Sequence, residues 1–151
     1  MSPMGRRLLA AAMALSVVHH GDHVLRGATG WPLEAGVNPF TYSLLVYPVI
    51  ALGLVLTRRG YAGPGSWAWL AGGGALFVLV IHTGPVASDS VSRIAEQYSE
   101  PAVGAGAVAL LAALVVVLAL TCAYEAGRPR PQPPTPKTAP VGSRSSETAT
   151  S

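Results

Sequence analysis

Three stretches of the chain, Phe40–Thr57, Trp67–Thr83 and Ala102–Tyr124, contain no Asp, Glu, Lys or Arg. A helix needs about 17–25 mostly apolar residues to cross a bilayer core about 30 Å thick. At a rise of 1.5 Å per residue the last stretch spans ~34 Å and the middle one ~25 Å. These lengths predict membrane-spanning helices. Composition agrees: 11% of the 151 residues are charged, against about 25% in soluble domains, which argues against a water-soluble enzyme with a polar shell. The single Cys122 cannot pair within the chain, so a disulfide scaffold is excluded.

The N-terminal segment admits two readings. Arg6-Arg7 precedes an apolar run from Leu8 to Val18, and then His19-His20-Gly21-Asp22-His23-Val24-Leu25. One reading is a secretory signal peptide with Ala12-Met13-Ala14 as its cleavage site. The other is a first span over about residues 7–25 with a polar end. Cleavage after Ala14 leaves only Leu8–Ala14 as the apolar region, the short limit for a signal peptide, so the span is favoured. The twin arginine lacks the flanking residues of a Tat signal. In a four-span arrangement Arg6, Arg7, Arg58, Arg59, Arg128, Arg130, Lys137 and Arg144 fall on one side, and only Arg26 and Arg93 on the other. The positive-inside rule then puts both termini in the cytoplasm. The net charge of +3 follows from topology and implies no nucleic-acid partner.

Local signals punctuate the spans. Asn38-Pro39 reads as N-cap plus first helical residue of span two. Gly63-Pro64-Gly65 reads as a tight turn, with Ser66 capping span three. Trp67 and Trp69 stand where interfacial aromatics stand, and Tyr42 reads as another such anchor. Pro101 opens span four. Pro48, beside Tyr47, is expected to kink span two. Ala105, Ala109 and Ala113, with Ala102 and Gly106, form a small-residue stripe that predicts packing within the bundle and allows self-association. Cys122 reads as a small packing residue. Gly72-Gly73-Gly74 lacks the Lys-Ser/Thr of a phosphate loop. Between spans three and four, Val91, Ile94, Ala95 and Tyr98 recur at helical spacing, a short amphipathic helix on the bundle or the outer leaflet. The segment 127–151 holds six prolines and eight Ser/Thr and reads as a disordered tail. The expected fold is all-α: a four-transmembrane-helix antiparallel bundle over residues 1–126. Its spans lie at about 7–25, 40–57, 67–83 and 102–124.

The histidines carry the chemical signal. Three of the four lie in a five-residue window, and His82 ends span three. Ionisable groups at membrane depth are costly and point to function. At 100° per residue His19 and His23 are neighbours one turn apart, with Asp22 beside them and Arg26 on the same face. His20 lies about 100° round. Antiparallel packing can bring His82 to similar depth. His19, Asp22, His23 and His82 thus form a candidate set for a transition metal such as Zn. Two histidines on different spans can instead hold a haem. The plainer reading is an Asp22–Arg26 i,i+4 pair with hydrated or carbonyl-bonded histidines, a structural or pH-responsive cluster. The His-Glu-x-x-His motif of zinc proteases is absent, because position 20 is His. Glu34, Asp89, Glu96 and Glu100 are further acids on the same side.

The stretch from His19 to Gly27, then Gly30-Trp31-Pro32-Leu33 and Asn38-Pro39-Phe40-Thr41-Tyr42-Ser43, resembles uncharacterised multi-span membrane proteins of high-GC, actinobacterial-type bacteria. The resemblance covers about residues 7–125 and implies four spans in a bacterial inner membrane. It supplies no activity and no site residue. Three readings follow. One is a binding or redox protein with an outward-facing metal or haem site, the only one compatible with an enzyme. Another is a non-catalytic scaffold or accessory subunit, with the bilayer and a membrane protein as partners. The third, a small transporter, is disfavoured because no acid or base lies in the middle of spans two to four.

Overall fold

The computed structural model describes residues 1–27, 39–84, 87 and 89–129, and every regular element among them is helical. The order is α1 (Pro3–Leu25), α2 (Pro39–Ser43), α3 (Val46–Arg58), α4 (Pro64–Thr83), α5 (Val91–Glu96) and α6 (Pro101–Ala126). Four units are long and apolar enough to cross a membrane: α1, α2 with α3 (Phe40–Arg58), α4 and α6. The expected Asn38 cap, Glu34 and the tail beyond Pro129 lie outside the described residues.

α1 begins at Pro3, earlier than the expected start near residue 7. The Ser2 hydroxyl accepts from the Gly5 amide at 3.0 Å, and Pro3 supplies a preset φ at the first helical position. Arg6 and Arg7 therefore lie inside the helix, which runs unbroken through Ala12-Met13-Ala14. Glu125 of α6 tucks its buried carboxylate against this first turn, where the helix dipole favours a negative charge. Only Gly5 permits the approach, since a Cβ there would stand 2.0 Å from Glu125 Oε1.

Span two is interrupted before Pro48 rather than kinked at it. Pro48 has no N–H to give the Leu44 carbonyl. That carbonyl accepts from the Tyr47 amide at 3.3 Å instead, and the Tyr42 carbonyl accepts from Leu45 at 3.1 Å. Two tight i,i+3 bonds turn the chain at residues 44–45 and divide α2 from α3. α4 starts at Pro64 with Gly63 as N-cap, so Ser66 sits within the helix and does not cap it. Trp69 is 84% exposed, as an interfacial residue should be, but Trp67 is 3% exposed. Its indole N–H donates to Thr57 Oγ1 at 2.9 Å, which turns it inward between α4 and α3.

α6 is the central helix, packed on α4, α1 and α5. It is apolar all round, so periodicity cannot select its packing face. The buried face is Gly104, Ala107, Leu111 and Leu114, continuing to Thr121 and Glu125. The stripe of Ala102, Ala105, Gly106, Ala109 and Ala113 is exposed, a correction to the expected packing within the bundle. The close approaches come from the partner helices. Gly72 meets Cys122 Sγ and Gly74 meets Leu118 across the α4–α6 interface.

α5 lies on the bundle. Ser90 caps it, accepting from the Arg93 amide at 3.3 Å, and Ile94, 1% exposed, packs with Ala107 and Leu111. Gly104 makes that seat possible, since a Cβ there would lie 2.5 Å from the Ala95 carbonyl oxygen. Gly104→Ala is therefore expected to push α5 off α6 and cost about 1–3 kcal/mol, the range for overpacking. Gly106→Ala meets nothing within 4 Å and is expected to be neutral or to stabilise by about 0.5–1 kcal/mol, the usual helical gain over glycine. Unfolding of the two variants in detergent micelles checks the contrast.

Candidate metal centre

The C-terminal turns of α1 and α4 and the segment entering α5 meet at one end of the bundle. There His19, His23 and His82 converge, each less than 8% exposed, with one nitrogen from each lying within 4.8 Å of the others. The rings touch: centroids are 4.7 Å apart for His19 and His23, 5.2 Å for His19 and His82, and 5.6 Å for His23 and His82. His19 Nε2 and His23 Nε2 are 3.2 Å apart. Two imidazole nitrogens bound to one tetrahedral zinc at 2.0–2.1 Å would be about 3.3–3.4 Å apart, so this pair already has the spacing of one tetrahedral edge.

The other side of each ring is partly fixed. His82 Nδ1 is 2.6 Å from the Asp89 carbonyl oxygen. A carbonyl only accepts, so Nδ1 carries the hydrogen and a neutral His82 keeps its lone pair on Nε2. His23 Nδ1 is 3.4 Å from Asp89 Oδ2. Asp89 thus orients His82 through its backbone, as the outer partners of metal-binding histidines do, and its carboxylate lies beside His23 without a hydrogen bond. Among the described residues, neither His19 Nδ1 nor His23 Nδ1 has a hydrogen-bond partner.

His20 stands apart from this trio. Its Nδ1 donates to the Ser16 carbonyl at 2.7 Å, with the Tyr47 hydroxyl 2.8 Å from the same atom, and its Nε2 is 2.7 Å from the Ser43 hydroxyl. Both nitrogens are engaged, and they tie α1 to α2 and α3. Asp22, the fourth candidate ligand, is beside the cluster but turned away from it. One oxygen accepts from Arg26 Nε at 2.8 Å, and the other accepts from the Tyr98 hydroxyl. The three converging groups are therefore all histidines.

Arg26 organises the surroundings. Its side chain is 1% exposed. Besides Asp22, it meets Asp89 with Nη1 to Oδ1 at 3.1 Å and Nη2 to Oδ2 at 2.9 Å, a bidentate pair. It also donates to Gln97 Oε1. Burial works against its charge, but the bonds to Asp89 and then Asp22 outweigh that and hold its pKa above the ordinary arginine value. The expected Asp22–Arg26 pair is present. Asp89 was legible only as one acid among four, and Gln97 and Tyr98 gave no sequence signal of joining the site. Glu96 and Glu100 are exposed.

No protein-family model, curated protein or solved structure matches this chain. The chemistry of the site therefore rests on its own geometry.

Arg26→Met would leave two carboxylates facing each other in a dry pocket. Breaking a buried pair in this way costs about 3–5 kcal/mol, and the loss is expected in detergent unfolding, partly recovered when Asp89→Asn is added. Tyr98 gives a pH signature. Its hydrogen bond to Asp22, followed by burial, raises the phenol above its ordinary value. A raised folded pKa means the contribution is complete below the unfolded pKa of about 10 and is lost as pH climbs through the folded one. Stability should fall in that alkaline window in the native protein, and less so in Tyr98→Phe.

Proposed function

We propose that this chain is a multi-span membrane protein that holds one transition-metal ion, of zinc type, on His19, His23 and His82. The observation that carries the reading is the convergence of three buried imidazoles, one of them held from behind by the Asp89 carbonyl and a second beside the Asp89 carboxylate. Three histidines with a fourth position open is the ligand set of a catalytic or exchangeable zinc site, whereas a structural site is closed by four protein ligands. Charge supports the same reading. Asp22 and Asp89 against Arg26 leave one net negative charge beside the imidazoles, which favours a cation in a medium of low dielectric. A haem is less well matched, because its two axial imidazoles face each other across a flat ring, and here three rings crowd a single point.

On this reading the site lies on the outer side of an inner membrane, with both chain ends in the cytoplasm. That orientation rests on the arginine distribution and the positive-inside rule. The role is binding of the ion and of whatever oxygen ligand completes its shell. Among the described residues, the two acids beside the cluster, Asp22 and Asp89, are both committed to Arg26.

The detergent-purified protein is expected to carry close to one ion per chain by elemental analysis, with no Soret band. His19→Ala/His23→Ala and His82→Ala should each lose it. Asp89→Ala should weaken affinity by about 10–100-fold, the usual effect of removing a partner behind metal-bound histidines. A metal-free native protein, or ion content unchanged in the double variant, overturns the reading. In that case the cluster is a packing device of a membrane scaffold.

A further inference from the structure

A cavity of about 540 Å³ opens between α1, α3, α4 and α6, with the histidine cluster at one end. Along α4 its wall runs from His82 to Trp67, and along α1 from His23 to Leu9. At 1.5 Å per residue these are ~22 Å and ~21 Å of helix. The volume divided by that length gives a mean cross-section of roughly 25 Å². That is the width of one extended hydrocarbon chain.

The chemistry along the cavity is graded. His19, His23, His82, Ser43 and Asp89 crowd one end, while Met13, Ile50, Phe77, Leu114 and Leu118 line the length beyond them. Thr121 also faces it, but its hydroxyl donates to the Val117 carbonyl at 2.7 Å and asks nothing of an occupant. Trp67 closes the far end, its indole held across the floor by Thr57. The room comes from small residues on α4, notably Gly73 and Gly74, which line it.

We propose that this cavity binds a single-chain amphiphile, with an extended apolar chain about as long as palmitate and an oxygen-bearing head at the histidine end. The chain site rests on the cavity alone. The placing of the head rests on the metal reading above, in which a carboxylate or carbonyl oxygen takes the open fourth position of the ion. An isoprenoid with a carbonyl head shares this chemistry with a fatty acid.

The test uses palmitate carrying a photoreactive diazirine at its methyl end, added to the full-length protein in detergent, with ion content measured on the same samples. Labelling is expected on the α4 and α6 peptides around Trp67 and Leu118, and unlabelled palmitate should compete it away. Gly73→Leu should cut it at least ten-fold with ion content unchanged. Gly73 lines the cavity and a Cβ there meets nothing within 4 Å, so the variant can fold while its side chain fills the cavity. Labelling of the outward-facing Val55, Val116 and Leu120, or labelling that free palmitate does not displace, overturns the proposal whether or not Gly73→Leu is stable. Cavity labelling of a protein that never holds an ion supports the chain site and refutes the metal reading. An ion with only outward labelling does the reverse. Mass spectrometry of the organic extract of the purified protein then tells a fatty acyl chain from an isoprenoid.

Discussion

The arrangement depends on one buried cation. Arg26 sits just past the end of α1 with its side chain sealed from solvent, which is tenable only because Asp22 and Asp89 neutralise it and Gln97 accepts another of its hydrogens. These partners come from three parts of the chain: α1 itself, the residue just before the α5 cap, and the residue just after α5. A guanidinium offers five donors in a fixed plane, so it sets their angles as well as their distances. Tyr98 closes the ring by donating to Asp22. The Arg26 side chain therefore welds the end of α1 to both flanks of α5, and the Ile94 contact seats α5 on α6.

The histidine cluster inherits this order. Asp89, held by Arg26, presents its carbonyl to His82 and its carboxylate to His23. His19 and His23 need no further device to meet, because one helical turn separates them. On the proposed metal reading the imidazoles are brought together before the ion arrives, and preorganisation of this kind lowers the cost of binding. The same ion network leaves an excess negative charge beside the rings. Orientation and electrostatics thus act in the same direction, and both trace to Arg26 with its two carboxylates, Asp22 and Asp89.

How much of this could be read in the sequence follows from the range of each interaction. The four helices of span length were legible because length and apolarity are local properties. The His19–His23 neighbourhood and the Asp22–Arg26 pair were legible because both follow from 3.6 residues per turn. His82 was placed correctly by antiparallel depth alone. Asp89 bonds to Arg26 across 63 positions, and no local rule singles it out from Glu96 or Glu100. The small-residue stripe misled for a related reason: on a helix apolar all round, several faces have small residues, and the face that packs is chosen by the partner. Gly72, Gly74 and α5 made that choice. The turn before Pro48 and the start of α4 at Pro64 were missed by a few residues, where one proline's absent N–H or preset φ outweighs a nearby cap signal.

The second span is held by a different logic from the rest. α6 lies close to α1 and α4 along its length, whereas α3 keeps its backbone at a distance. These helices are long and apolar enough to cross a membrane, and between helices in lipid no hydrophobic drive operates, while interhelical hydrogen bonds count for about 0.6 kcal/mol on average and at most about 1.7. α3 and α2 have such bonds at two levels: His20 to Ser43 and Tyr47 at one end, and Trp67 to Thr57 at the other. Between these two clips lies the cavity wall. At Gly53 of α3 the Trp67 ring packs close, but nearer the histidines Val46 and Ile50 face the cavity while the glycines stand opposite on α4. Branched residues on α3 against glycines on α4, with polar clips above and below, produce a slot rather than a packed seam. The polar bonds that fasten the span are thus also what keeps the bundle hollow beside the histidines.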